Sequence, residues 1–295
     1  MRRHPVILGI TLLVFIGCVA IIAMYGLGLF GGDRRPFNLR GKVGIIAIEG
    51  IIGEAGELIE QINEFADDKG IKAVVLRINS PGGGVVPSQE IYQAVRELKK
   101  KKKVVVSMGS VAASGGYLIA VAADRIVANP GSITGSISTV IHYANVEELM
   151  KKVGVRSSVV KSGKFKDIGS PTREMTAEER SLIQAIVDDI FDQFVRTIAE
   201  NRKLPLPRIF ELADGRIFSG RQAKDLGLVD DLGGLQDAVL LAGKLSGMEG
   251  TPEIIHGMKK KTSLLKYLMG NMTSAVVEEI KGQVAESHGA QYLLQ

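Results

Sequence analysis

The chain has 295 residues, enough for one large domain or two small ones, and 45% of them are hydrophobic, enough to fill a core. Its net charge of +5 sits in local runs without interleaved aromatics, which argues against a nucleic-acid partner, and its single cysteine excludes an internal disulfide framework and a cysteine-based metal site. Thirty-five glycines and no tryptophan fit an α/β fold with many tight turns.

Residues 1–5 carry Arg2 and Arg3, and the run over 6–30 is apolar and free of charged side chains. About 20 apolar residues span a bilayer, and leading arginines place the N-terminus in the cytoplasm. The core is long for a cleaved leader, and no small-x-small cleavage site stands at its end. The expectation is therefore an uncleaved transmembrane signal anchor in the inner (cytoplasmic) membrane, with lipid as a partner. A lipoprotein site at Gly17-Cys18 fits poorly, because Phe15 precedes it and the apolar run continues past it. Residues 31–40 form a polar linker, and everything beyond is expected outside the cytoplasm.

A domain over 41–250 follows. Lys42–Ile48 reads as its first strand and Glu54–Phe65 as a helix with Leu58, Ile59, Ile62 and Phe65 on one face. Lys72–Ile78 is a second strand, running into a turn with strong breakers, Asn79-Ser80-Pro81-Gly82-Gly83-Gly84. Pro87–Leu98 is a helix whose C-terminal lysines, Lys99–Lys103, complement its dipole. Val104–Val106 opens a third strand, which leads through a turn of small residues around Ser114 into an apolar helix, Tyr117–Ala122. A short strand is expected at Arg125–Ala128, a helix at Asn145–Lys152 and a strand at Arg156–Lys161. Lys161–Thr176 has little periodicity and reads as an exposed or functional loop. Thr176 and Glu179 form a capping-box pattern before a long helix, with Ile183, Ile186, Val187, Ile190, Phe194 and Ile198 as its buried stripe. Strands alternating with helices predict a mainly parallel sheet with crossover helices. Residues 251–295 read as a C-terminal tail to which the sequence assigns no role.

Turns after parallel strands converge on one edge of a sheet, where α/β sites usually lie. Gly82–Gly84 and Ser114 both follow strands. The glycines lack the spacing of a phosphate loop, but bare backbone can present N–H groups to a substrate oxygen. Ser114 reads either as an N-cap or as a nucleophile. A nucleophilic serine needs a base, and His142, His256, His288, Lys161, Lys164 and Lys166 are candidates. A lysine base must be unprotonated, which burial and the absence of a nearby carboxylate favour. Asp167 beside Lys166 counts against that residue, and the residues alone leave the base open.

Four motifs in this order, NSPGGG (Asn79–Gly84), ASGGYLIA (Ala113–Ala120), TGSI (Thr134–Ile137) and KSGKFKDIGSPTREMT (Lys161–Thr176), resemble the signal peptide peptidase A branch of the S49 serine peptidases. The resemblance covers roughly residues 41–250. It implies a Clp/crotonase-like α/β fold and a Ser–Lys dyad, without cofactor or metal. Ser114 would be the nucleophile, Lys166 the general base and Ser136 the residue that orients the lysine. Backbone N–H groups of Gly83 and Gly115 would form the oxyanion hole. The family cleaves remnant signal peptides in the membrane, and its short members form ring-like homo-oligomers whose dyad residues come from neighbouring subunits. One departure is Ser138, where the family usually has glycine. Two competing readings are a Clp-type protease with a Ser114–His142 dyad and an inactive crotonase-like membrane scaffold.

Overall fold

The computed structural model describes residues 15–19, 41–257 and 291–293. Of the anchor expected over 6–30, residues 15–19 form one exposed turn of helix, and the rest lies outside the described residues. Among the described residues no helix is long and apolar enough to cross a membrane. The chain divides into two units, Met1–Arg40 and Gly41–Gln295.

The second unit runs β1 (Lys42–Ile52), α1 (Gly56–Asp67), β2 (Ile71–Gly84), α2 (Val85–Lys101), β3 (Lys103–Ala113), α3 (Gly115–Ala120), β4 (Arg125–Ala128) and β5 (Ile133–Gly135). It continues through α4 (Glu147–Lys152), α5 (Ala177–Arg202), α6 (Leu206–Leu212), β6 (Ile217–Ser219), α7 (Gly220–Asp225), β7 (Asp231–Leu232), α8 (Leu235–Leu245), β8 (Glu253–His256) and β9 (Gln291–Leu293). The described strands form one sheet with central order β6-β5-β3-β2-β1-β8. Its pairs are parallel except β5 with β6 and β2 with β9. The expected α/β architecture with a mainly parallel sheet is the one observed.

The near-continuous Val and Ile runs follow from burial on both faces of the sheet. Val74, Leu76, Val104 and Val106 face one core, shared with Ile62 of α1, Ile91 and Val95 of α2 and most of α3. Their alternates Ala73, Val75 and Val105 face a second core closed by Ala238, Val239 and Ala242 of α8. Burying one such aliphatic side chain is worth about 1.5–3 kcal/mol, so this two-faced burial dominates the stability of the sheet.

Three local expectations differ from the structure. Gly82–Gly84 do not leave the sheet in a turn: they extend β2, with Ile51 and Ile52 of β1 pairing Gly82 and Gly83 on one side. Arg156–Lys161 forms no strand; the segment is exposed and has no ladder partner among the described residues. The stripe of α5 is only half buried. Phe194, Val195 and Ile198 pack into the core, whereas Ile186 is 50% exposed and Leu182 43%. Glu179 is the buried residue of the first turn. It lies 15 positions before Phe194, about 22 Å along the helix.

Candidate functional site

β3 and β5 run parallel and pair as far as Ala113 with Gly135. The next residue on each strand is a serine. Ser114 N–H donates to the Gly135 carbonyl at 2.8 Å, which fixes the two chain exits side by side. Both serines then take left-handed backbone, Ser114 with φ 53° and Ser136 with φ 50°. A side chain other than glycine held there costs about 1–3 kcal/mol, so packing must impose it. Ser136 N–H donates to the Arg216 carbonyl at 2.9 Å, and a Cβ on Gly135 would come within 2.6 Å of the Phe218 ring.

Ser114 occupies the position before α3, and its carbonyl accepts from Leu118 N–H at 2.9 Å. Its side chain does not cap the helix. The hydroxyl is fully buried, and its Oγ has no hydrogen-bond partner. An orphaned buried hydroxyl costs about 1–3 kcal/mol on top of the backbone strain. The N-cap role is thereby excluded, and two unfavourable features coincide at one residue.

Gly83 and Gly115 meet beside it. A Cβ built on Gly115 would lie 3.4 Å from Gly83 N and 2.4 Å from Ser88 Oγ. A Cβ on Gly83 would lie 2.2 Å from the Ile52 carbonyl oxygen. Gly83 is therefore required by the unyielding backbone of β1, and Gly115 by its contact with the Ser88 side chain. Ser88, on α2, is buried and donates to the Gly84 carbonyl at 2.8 Å. It braces the end of β2, and its spacing gave no signal of that in the sequence. On the other side of β2, β9 pairs antiparallel with these glycines, Gly83 opposite Tyr292.

Lys166 makes no hydrogen bond to Ser114 Oγ. It is exposed on a loop of successive tight turns, in which Lys166 N–H donates to Gly163, Ile168 N–H to Phe165 and Ser170 N–H to Asp167. No hydrogen bond joins Ser114 Oγ to His142 either. His142 lines a cleft of about 810 Å³ together with Thr139, Tyr143, Arg173, Arg180 and Val187.

The loop is fastened by a network whose pairing was legible in the sequence only at the capping box. Thr176 Oγ1 accepts from Glu179 N–H at 3.2 Å, and Glu179 Oε2 accepts from Thr176 N–H at 2.9 Å. Arg173 forks onto Glu179, with Nη1 at 2.8 Å from Oε2 and Nη2 at 2.5 Å from Oε1. It also binds Asp167, Nε to Oδ2 at 2.9 Å, and Lys161 takes the remaining oxygen, Oδ1. The guanidinium, with help from the Thr176 amide, holds the Glu179 carboxyl down at about 2, and Arg173 and Lys161 hold Asp167 well below the usual carboxylate range. Among the described residues no three His, Cys, Asp or Glu side chains cluster as metal ligands do.

The family model described as Peptidase family S49 matches residues 96–249, and the one described as Clp protease matches residues 42–133. A putative protease of Synechocystis, slr0021, is 42% identical over 238 residues, covering 80% of this chain and 86% of that protein. A putative protease of Methanocaldococcus jannaschii, MJ0651, is 39% identical over 220 residues, covering 74% of this chain and 70% of that protein. A putative signal peptide peptidase SppA of Enterococcus faecium is 36% identical over 212 residues, covering 67% of this chain and 62% of that protein.

Proposed function

Because the chain belongs to peptidase family S49, and so is a peptidase, we propose that it is a serine endopeptidase with Ser114 as nucleophile and Lys166 as general base. Ser136 orients the lysine amine, and the N–H groups of Gly83 and Gly115 take the oxyanion. The observation that carries this reading is Ser114 itself. It is a buried hydroxyl without a partner, on strained backbone, next to two glycines whose added Cβ would clash with Ile52 or Ser88. Packing alone would not retain both costs at one position.

The neutral Lys166 amine takes the Ser114 hydroxyl proton as Oγ attacks the peptide carbonyl carbon. The carbonyl oxygen gains the negative charge and rests on the two amides. The proton then passes to the departing amine, the C–N bond breaks, and an acyl-enzyme remains. Water, activated by the same lysine, releases the acid and restores the hydroxyl. Loss of one oxyanion donor in such sites costs about 100- to 1,000-fold in rate.

The pairing of β9 with Gly82–Gly84 supports a peptide substrate, since it gives those residues an extended antiparallel partner at the site. The apolar run over 6–30 and the relative named as a signal peptide peptidase support membrane anchoring and spent signal peptides as substrates. The exposed Lys166 and the unburied apolar residues of the first turns of α5 support a homo-oligomer, in which one copy's loop reaches a neighbour's Ser114.

The test is hydrolysis of a fluorogenic apolar peptide by the full chain in detergent. Lys166→Ala is expected to fall to the level of Ser114→Ala, and His142→Ala to stay active. An inactive His142→Ala beside an active Lys166→Ala would transfer the role of base to the histidine.

A further inference from the structure

Asp167 is the carboxylate nearest in sequence to Lys166, and the structure accounts for both of its oxygens. Oδ2 is held by Arg173 Nε at 2.9 Å and Oδ1 by Lys161. The Asp167 carbonyl also accepts, from Arg173 Nη2 at 3.2 Å. A guanidinium has five N–H donors. Here Nε serves Asp167, Nη1 serves the Glu174 carbonyl at 3.0 Å and Glu179 Oε2, and Nη2 serves the Asp167 carbonyl and Glu179 Oε1. Every donor of Arg173 is used, and each partner lies on the loop or on the first turn of the helix behind it.

We propose that Arg173 is a positioning residue: it turns the Asp167 carboxylate away from Lys166 and fixes the loop on α5 through Glu179, so that the Lys166 amine meets the serine without an acidic neighbour. This rests on the Ser114–Lys166 reading above. A base that must be neutral is ill served by a carboxylate one residue away, because an opposite charge within about 4–6 Å favours the ammonium form by about 1–3 pH units. Arg173 lets that carboxylate stay in the loop as an anchor while denying it to Lys166. No hydrogen bond or ion pair engages the Lys166 amine among the described residues.

Of the two carboxylates that Arg173 binds, Glu179 is also taken by the Thr176 amide in the cap of α5, and Asp167 is the one beside Lys166 in the loop. Lys164 is paired with Glu178, and Glu147 and Glu148 of α4 with Lys151. Glu174 is exposed. Arg180 of α5, together with His142 and Tyr143 of the segment packed on Gly169, adds no acid. A plain structural brace would serve equally well with any pair of partners. The device proposed here predicts a pH effect that belongs to Asp167 alone.

The experiment is the pH profile of kcat/KM for the full chain, Arg173→Gln, Arg173→Lys and the double variant Arg173→Gln/Asp167→Asn, with Lys166→Ala as control. In Arg173→Gln the acidic limb is expected to move up by about one pH unit, with an activity loss of about tenfold at neutral pH that high pH recovers. Arg173→Lys, which keeps a cation beside Asp167, should move it less. In the double variant the limb should return towards the parent position. A parent-like limb in Arg173→Gln, or a double variant shifted as far as the single one, overturns the inference. If Arg173→Gln does not fold, the Arg173→Lys limb decides alone: unmoved, it overturns the inference, and shifted upward it sustains it. An active Lys166→Ala would sink the underlying dyad instead, which separates the two failures.

Discussion

Ser114 and Ser136 leave neighbouring parallel strands one residue past the pair Ala113–Gly135, and both do so with left-handed backbone, φ 53° and 50°. Glycine adopts this conformation without the penalty that serine meets. Ser114→Gly and Ser114→Ala are both expected to abolish hydrolysis. Ser114→Gly should also be the more stable of the two by about 1 kcal/mol, because only it relieves the backbone. Thermal unfolding of the two inactive variants checks this, and equal midpoints would show that the residue is not strained.

The contact between Gly115 and Ser88 predicts a suppressor. Gly115→Ala places a methyl 2.4 Å from Ser88 Oγ and should lose stability and activity together. Ser88→Ala alone should cost about 1 kcal/mol through its lost bond to the Gly84 carbonyl. Combined, the two should be more stable than Gly115→Ala alone, since the hydroxyl is the closest clash. Urea midpoints of the four chains test the sign of that coupling.

Acid should loosen the loop before the sheet. The Glu179 carboxyl lies at about 2 against an ordinary 4.5, with Arg173 as the main cause, and Asp167 is depressed in the same direction. A carboxyl with a lowered native value stabilises fully above its ordinary value and loses that contribution as pH falls towards the native one. The protection of residues 161–176 against hydrogen exchange, taken relative to the intrinsic rate at each pH, is therefore expected to fall between about pH 4.5 and about pH 2, while that of β1–β3 is kept. Uniform exchange across the domain in that window would contradict the assignment.

The two halves of α5 should respond differently to mutation. Phe194 is 1% exposed in the core, and Phe194→Ala is expected to cost about 3–5 kcal/mol. Ile186 is 50% exposed, so Ile186→Asp should leave the unfolding of a single chain within about 0.5 kcal/mol. In the proposed oligomer the same change should lower the sedimenting mass. An unaltered mass would place the subunit contact elsewhere.

How much of this was legible in the sequence follows from the range of each interaction. The parallel sheet was readable because Val104–Val106 and its counterparts are buried on both faces, which leaves a continuous apolar run. The capping box at Thr176 and Glu179 was readable because its residues lie three apart. Gly82–Gly84 were misread as a turn, since local glycine content signals flexibility and the partners that make them a strand, Ile51 and Ile52, lie 30 residues away. The α5 stripe has uniform periodicity, and no local feature says that its first turns find nothing to pack on. Ser88 carried no motif, and Arg173 lay inside the Lys161–Thr176 motif with no role legible for it. Their roles arise from where β2 and the loop happen to bring a carbonyl or a carboxylate, which only the assembled chain defines.

α5 also ties together parts of the molecule that lie far apart in the sequence. Its last residue, Arg202, binds Asp230 with Nη2 at 2.8 Å from Oδ1, and donates from Nε and Nη2 to the Gly227 carbonyl. One residue beyond Gly227, the Leu228 carbonyl receives the Tyr117 hydroxyl at 2.8 Å, and Tyr117 belongs to the short helix behind Ser114. The far end carries the Lys166 loop on Glu179. The helix is thus a lever pinned at the serine side and loaded at the lysine side. A tilt of about 5° at the pinned end displaces the loaded end by about 3 Å over the about 35 Å of helix between Arg202 and Glu179. In the proposed dyad a misplacement of about 1 Å would cost about 100-fold in rate, so its gearing would rest on a few bonds around Arg202, well removed from Ser114 and Lys166.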